Sequence, residues 1–275
     1  MIKKRLTNFN LEQIADSGQI FRMNKQSDGS YDVISKDKFL KIEENKNGEF
    51  CFYCSQNDFD KYWHNFFDLE FDYSKILKNI DKNDEFLSDA CKFGSGIRIL
   101  RQDLFETIIS FIISQQNNIP KIKNTIEKLC EKFGEAKKDK ETGTRYFAFP
   151  KAKDLCKLEN LQGLSLGYRD KYISKFSESV YNKEFSLKDL EKEESFEMCK
   201  KKLLGIYGVG EKVANCIVLF SLHKINAFPI DTWMKKVIEI KYNGRFPFEK
   251  YDGYLGIIQQ YLFFYAKSLK NLTEN

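Results

Sequence analysis

The chain has 275 residues, 42% hydrophobic and 15% aromatic, with 25 Phe and 14 Tyr. That is enough apolar material for one large or two ordinary folded units, and it excludes a disordered chain. Forty-five Lys and Arg against 40 Asp and Glu leave a net charge of +5, which suits an anionic partner but is too small to name one without a local patch.

The opening "MIKKRLTNFNLEQ" has no apolar core of signal-peptide length, and no run of eighteen apolar residues follows. A soluble intracellular protein with no membrane association is therefore expected. The first ninety residues predict strands in "QIFRMNKQ" (19–26), "SYDVIS" (30–35), "KFLKIEE" (38–44) and "EFCFYCS" (49–55), with Asp28-Gly29 and Asn47-Gly48 supplying tight hairpin turns. From residue 62 the apolar spacing changes to three and four. Helices are expected at about 83–94, 103–117, 120–133, 151–158, 169–182, 187–192, 195–205, 211–223, 231–240 and 252–269. "GEAKKDKETGTRYF" (134–147) is expected to be an irregular surface loop. The fold class is thus α+β and mostly α: an antiparallel β domain over 1–90 and a helical body over 91–275. Seven scattered cysteines read as free thiols rather than a disulfide frame. Cys51 and Cys54 have metal-like spacing, but no second Cys or His pair accompanies them, so no metal site is expected.

"LLGIYGVGEK" (203–212) places Gly205, Gly208 and Gly210 between two helices, so that alternate glycines free the backbone for positive φ and outward N–H groups. With the unpaired donors of the next helix's first turn, these N–H groups can hold an anion. An ordinary turn between helices with a glycine cap fits the same letters. The following "VANCIVLF" (213–220) is apolar nearly all round and so buried. Lys212 must then sit at its edge, where the helix dipole and partial desolvation disfavour the ammonium form and favour a nucleophile. Cys216 lies one turn on, on the same face. A snorkelling surface lysine is the plainer alternative. In "AFPIDTW", Asp231 stands at an N-cap after Pro229, a place compatible with both capping and chemistry.

"LLGIYGVGEKVANCIVLFSLHKINAFPID" resembles the helix-hairpin-helix, glycine/proline-rich, aspartate signature of base-excision DNA glycosylases, and the lysine in the second helix resembles the bifunctional members. "SGQIFRM" (17–23), "GIRILRQDLFETIISFIISQQNNIPKI" (96–122), "LGYRDKYI" (166–173) and "GIIQQYLFF" (256–264) are similar, in order and spacing, to 8-oxoguanine DNA glycosylases of the eukaryotic type. The resemblance implies a TBP-like β domain followed by helical domains, with the helix-hairpin-helix at about 195–223. It implies excision of 8-oxoguanine from double-stranded DNA, preferably opposite cytosine, with an associated β-elimination at the abasic site. It makes Lys212 the nucleophile at C1′ and Asp231 the carboxylate that steadies charge on the sugar. A flipped-out base would meet the Gly18 carbonyl, Cys216 and Phe263 on its two faces, Phe220 beside them, and Gln259 on its Watson–Crick edge. Gln116, Asn117, Lys121, Tyr168 and Arg169 would fill the vacated stack and read the partner base, and Gly208, Val209 and Gly210 would grip DNA phosphate. No cofactor is implied; a structural cation where the hairpin meets phosphate is the one ion the resemblance admits. A monomer is expected, cytoplasmic and nucleoid-associated in a bacterium or nuclear in a eukaryote.

The sequence departs from the animal enzymes at Gln116, where Asn is usual, and at Lys121, where Arg is usual. "TW" after Asp231 replaces a histidine-containing pair, putting phosphate contact there in doubt. Three alternatives remain: a related alkylpurine glycosylase, which typically lacks the lysine; an endonuclease III-like enzyme, whose four C-terminal cysteines have no counterpart after Cys216; and a hairpin module that only grips DNA.

Overall fold

The computed structural model describes residues 1–269. Strand β1 (Ile2–Lys4) and helix α1 (Leu11–Asp16) precede β2 (Met23–Lys25), β3 (Tyr31–Ser35), β4 (Lys38–Glu44) and β5 (Phe50–Tyr53). The strands form one antiparallel sheet in the order β1-β5-β4-β3-β2. Met23 pairs with Val33, Val33 with Leu40, and Ile42 with Phe52, so the period-2 apolar residues fall on one buried face. Gly29 and Gly48 take φ of +85° and +69° in their turns, as the Asp-Gly and Asn-Gly pairs predict. β1 and α1 were not foreseen. Nor was the retreat of the expected 19–26 strand to three residues. Gln19 instead bonds into the helical body, donating to the Arg98 carbonyl and accepting from the Leu100 N–H, both at 2.8 Å.

Helical structure follows: α2 (Gln56–Asp58), a π turn (Phe59–Trp63), α3 (His64–Phe66), α4 (Ser74–Lys78), α5 (Glu85–Phe93), α6 (Leu104–Ser114) and α7 (Ile119–Phe133). A two-stranded hairpin, β6 (Ala136–Lys138) with β7 (Arg145–Phe147), comes next. Then come α8 (Ala152–Leu155), α9 (Arg169–Tyr181), α10 (Leu187–Glu191), α11 (Phe196–Leu204), α12 (Glu211–Phe220), α13 (Thr232–Tyr242) and α14 (Leu255–Ser268). The hairpin corrects the loop expected over 134–147. Its turn is closed by Asp139, whose carboxylate accepts from the Thr142 N–H at 2.7 Å and its hydroxyl at 2.8 Å, with Gly143 at φ +74°. This Asx-type closure turns the polar run, while Tyr146 lies 5.4 Å from the Phe39 ring and Phe147 packs on the helical core.

Helix starts follow from side-chain caps. Asp103 accepts from the Glu106 N–H, Asn118 from the Lys121 N–H, and Ser195 from the Met198 N–H. α6 is buried along almost its whole length and packs against α7, α9 and α12. One apolar cluster backs the sheet, from Phe9 to Phe67, and takes in Leu100. The other fills the helical body but includes Phe21, so packing crosses between the two. The 1–90 and 91–275 division stays a proposal, and its last six residues lie outside the described ones.

Candidate active site and DNA-facing elements

A cleft opens where the loop after α1, α6, α12, the segment before α13, and α14 converge. Its walls bring together Gly18, Lys212, Cys216, Phe220, Asp231, Gln259 and Phe263, which are all seven residues expected to act on sugar and base. They come from four separate stretches of chain. Ser17, Phe111, Pro229 and Gln260 also line it, and the sequence reading had missed these four as site residues.

Asp231 is the N-cap of α13. Its Oδ1 accepts from the Met234 N–H at 2.9 Å, which fixes the carboxylate and leaves its other oxygen free of that bond. Lys212, in the first turn of α12, is half-buried. Its Nζ lies 5.3 Å over the ring of Phe111, and that ring is stacked on Phe220 at 5.7 Å and 18°. An aromatic face attracts a cation, a contact that the sequence reading, built on the helix dipole and partial desolvation, had not included. Cys216 is buried one turn away. Burial pushes its thiol up, against the pull of Lys212's charge, so it stays a neutral, apolar wall.

Gln259 is buried on α14, with Nε2 donating to the Pro229 carbonyl at 3.0 Å. Its Oε1 accepts from Gln260 Nε2 at 3.0 Å. The Gln260 Oε1 has no partner, although it is buried. Gly18 has φ of +79°, and a Cβ there would lie 3.3 Å from the Phe263 ring. That ring therefore rests directly on the glycine. As it stands the cleft holds about 40 Å³ of free space, room for a few waters but not for a purine.

The five residues expected to face the partner base lie apart from this cleft. Gln116 is exposed with φ of +46°, a conformation that turns the chain between α6 and α7. The Asn117 amide donates to the Ile113 carbonyl at 3.2 Å. Lys121 is exposed in the first turn of α7, and Tyr168 is exposed just before α9. Arg169 departs from the expectation. It is buried, and its guanidinium donates to the carbonyls of Gln115 (Nε, 2.9 Å), Gln116 (Nη2, 3.2 Å) and Leu166 (Nη1, 2.9 Å). Its donors brace the loop from beneath instead of projecting towards a base.

In the hairpin only Gly208 uses positive φ, at +87°; Gly205 and Gly210 have φ of −74° and −103°. This corrects the expectation that alternate glycines share that freedom. A Cβ on Gly208 would fall 2.3 Å from Tyr172 Cδ2, so the glycine is required by packing as well as by φ. Val209 is buried and anchors the turn through its N–H to the Ile206 carbonyl at 3.0 Å. Gly210 caps α12 without a side chain and has open space around it, leaving the first-turn N–H groups uncovered. Trp233 packs against the helical core. Cys51 and Cys54 are separate buried free thiols. Among the described residues, no group of three or more His, Cys, Asp or Glu is arranged to hold a metal, and no helix is long and apolar enough to cross a membrane.

Residues 1–108 match the family described as 8-oxoguanine DNA glycosylase, N-terminal domain. The structure is similar to the Clostridium acetobutylicum 8-oxoguanine glycosylase/lyase in complex with double-stranded DNA containing cytosine opposite 8-oxoguanine. That likeness has a TM-score of 0.87 and 36% identity, and covers 95% of this chain and 92% of that one. The chain is also 33% identical over 159 residues to the N-glycosylase/DNA lyase of Saccharomyces cerevisiae, a match covering 54% of this chain and 42% of that enzyme. The probable N-glycosylase/DNA lyase of Methanothermobacter thermautotrophicus is 27% identical over 233 residues, covering 73% of this chain and 72% of the archaeal one. The chain thus spans less than half the length of the yeast relative.

Proposed function

The chain belongs to the 8-oxoguanine DNA glycosylase family, and from that premise we propose that it excises 8-oxoguanine from duplex DNA and then cleaves the abasic strand. The observation that carries this reading is the meeting of Lys212, Asp231 and a stacking cleft in one place. Neither a non-catalytic hairpin module nor a lysine-free glycosylase needs all three.

In the proposed reaction Lys212 Nζ, once deprotonated, attacks C1′ of the extruded nucleotide. The C1′–N9 bond breaks, and its electron pair leaves with the base, which takes up a proton. Asp231 lies in the same cleft, and its negative charge stabilises the positive charge that develops on the sugar as this bond lengthens. Loss of the amine proton and opening of the sugar ring give a Schiff base. Removal of a C2′ proton then expels the 3′ phosphate by β-elimination. Phe263 and Cys216 would flank the base, and Gln259, Pro229 and the Gly18 carbonyl supply polar groups for its edges. The Phe263 ring, resting on Gly18, is the wall that would lift to admit a purine. The uncovered N–H groups beside Gly210 suit a backbone phosphate.

We propose further that the partner is DNA carrying the lesion preferably opposite cytosine, and that the protein acts as a monomer without a cofactor. The direct test is a duplex with a single 8-oxoguanine. The reading expects free 8-oxoguanine and a nicked strand, with an undamaged duplex untouched; binding without base release would overturn it.

A further inference from the structure

We infer that Gln115 is a positioning residue that locks the loop bearing Gln116 to the phosphate-gripping hairpin, so that holding the backbone and extruding the base are one mechanical act. The inference rests on the reading above as a glycosylase of duplex DNA. It starts from a residue that neither sequence nor resemblance singled out.

Gln115 is the C-cap of α6 and joins three elements. Its side-chain Nε2 donates to the Gly208 carbonyl in the hairpin at 3.0 Å. Its own carbonyl accepts from Arg169 Nε at 2.9 Å, and Arg169 Nη2 reaches the next carbonyl, that of Gln116. The hairpin is held from its other side by Tyr172, against whose ring Gly208 is packed so closely that no Cβ fits. Arg169 and Tyr172 both belong to α9, so this helix touches the loop with one residue and the hairpin with the other. Gln115 closes the triangle directly.

The geometry has a mechanical consequence. Gln116 sits at φ +46°, an uncommon conformation for a non-glycine residue, and persists in it because the surrounding structure over-determines it. The bonds that do so run to Arg169, and through Gln115 to Gly208. A phosphate seated at the hairpin therefore sets the height and angle at which Gln116 meets the base stack. Without the Gln115 amide bond the hairpin still grips and the loop still exists, but their separation is no longer fixed. Arg169's burial is explained on the same terms: its donors hold the loop.

The test uses Gln115→Leu, which keeps bulk but removes the donor, and Gln115→Glu, which sets an acceptor against the Gly208 carbonyl. Single-turnover excision of 8-oxoguanine is measured in a fully paired duplex and in a single-base bulge, where no partner pair has to be broken. Single-turnover rates at saturating enzyme do not depend on the active fraction, so partial misfolding does not disguise the result. Both variants are expected to lose about tenfold on the paired substrate, the scale of one hydrogen bond. Both should stay within about twofold of wild type on the bulge at saturating enzyme, and Gln115→Leu, which adds no charge beside the phosphate, should keep wild-type affinity for undamaged duplex. Equal losses on both substrates, or no loss on either, would overturn the inference. A wild-type protein that releases no 8-oxoguanine would instead count against the glycosylase reading.

Discussion

Gln260 donates its side-chain amide to Gln259 Oε1 at 3.0 Å, and thereby fixes which way Gln259 presents its amide to the base cleft. Gln259 Nε2 is left on the Pro229 carbonyl, while the Gln260 oxygen stays buried and unpaired. Removing that oxygen relieves a desolvation cost, whereas removing the amide frees Gln259 to turn. Gln260→Leu is therefore expected to leave the melting temperature near wild type but slow 8-oxoguanine excision by about five- to tenfold. Single-turnover kinetics beside a melting curve check this, and an unchanged rate would remove Gln260 from the site.

The hairpin glycines separate folding from binding. Gly208→Ala meets both a left-handed φ and the Tyr172 ring, and is expected to cost about 2 kcal/mol or more of stability. Gly210→Val has open space around it, so it should cost only the poorer N-cap, less than the loss at Gly208. Its side chain would cover the first-turn N–H groups of α12, weakening affinity for damaged and undamaged duplex alike and flattening the dependence on salt. Melting curves and binding at two salt concentrations test the pair; equal loss of stability in both variants would contradict the division.

Glu106 gives stability a pH dependence. Burial pushes its carboxyl from the ordinary 4.5 up to about 7, and it accepts from the Lys36 N–H at 2.6 Å. The folded state therefore holds a proton that the unfolded chain releases. The stability this contributes is full below about pH 4.5 and is lost as pH rises to about 7. Glu106→Gln keeps an acceptor without the charge, and should raise stability at pH 8 by about 2 kcal/mol while gaining nothing at pH 4.5. A gain of equal size at both pH values would show that titration is not its source.

The proposed preference for cytosine would rest on exposed residues. With Arg169 committed to loop carbonyls, Gln116, Lys121 and Tyr168 are the exposed groups left to face a partner base. Lysine lacks the planar fork that fits cytosine's acceptors, which costs about 1 kcal/mol of discrimination, or tenfold at most. Cleavage should be fastest opposite cytosine, yet appreciable opposite thymine and guanine, and Lys121→Arg should sharpen the preference. Rates opposite all four bases, for wild type and variant, decide it; unchanged ratios would mean Lys121 does not read the partner.

Much of this was legible in the sequence because local signals carried it. The cap at Asp231 starts its helix, and Gly29 and Gly48 make their turns. The seven residues expected at the sugar and the base came from the family resemblance, carried by several motifs spread along the chain. What was not legible depends on tertiary contact. Lys36 takes φ of +57° between bonds to Glu106 and Phe149, and nothing local announces that. Arg169 looks from its position like a base reader, but carbonyls 53 and 54 residues away claim it. Gln115 and Gln260 read as ordinary polar neighbours of more conspicuous residues, because their importance lies in partners across the fold.

The central claim is that Lys212 forms a covalent bond to the damaged nucleotide. Borohydride added during reaction with an 8-oxoguanine duplex reduces a Schiff base to a stable protein–DNA adduct, so trapping reads that bond directly. Wild type is expected to yield the adduct. Lys212→Gln should yield none and release no base, while still binding the duplex through its intact hairpin. An undiminished adduct in Lys212→Gln would place the nucleophile elsewhere and contradict the account.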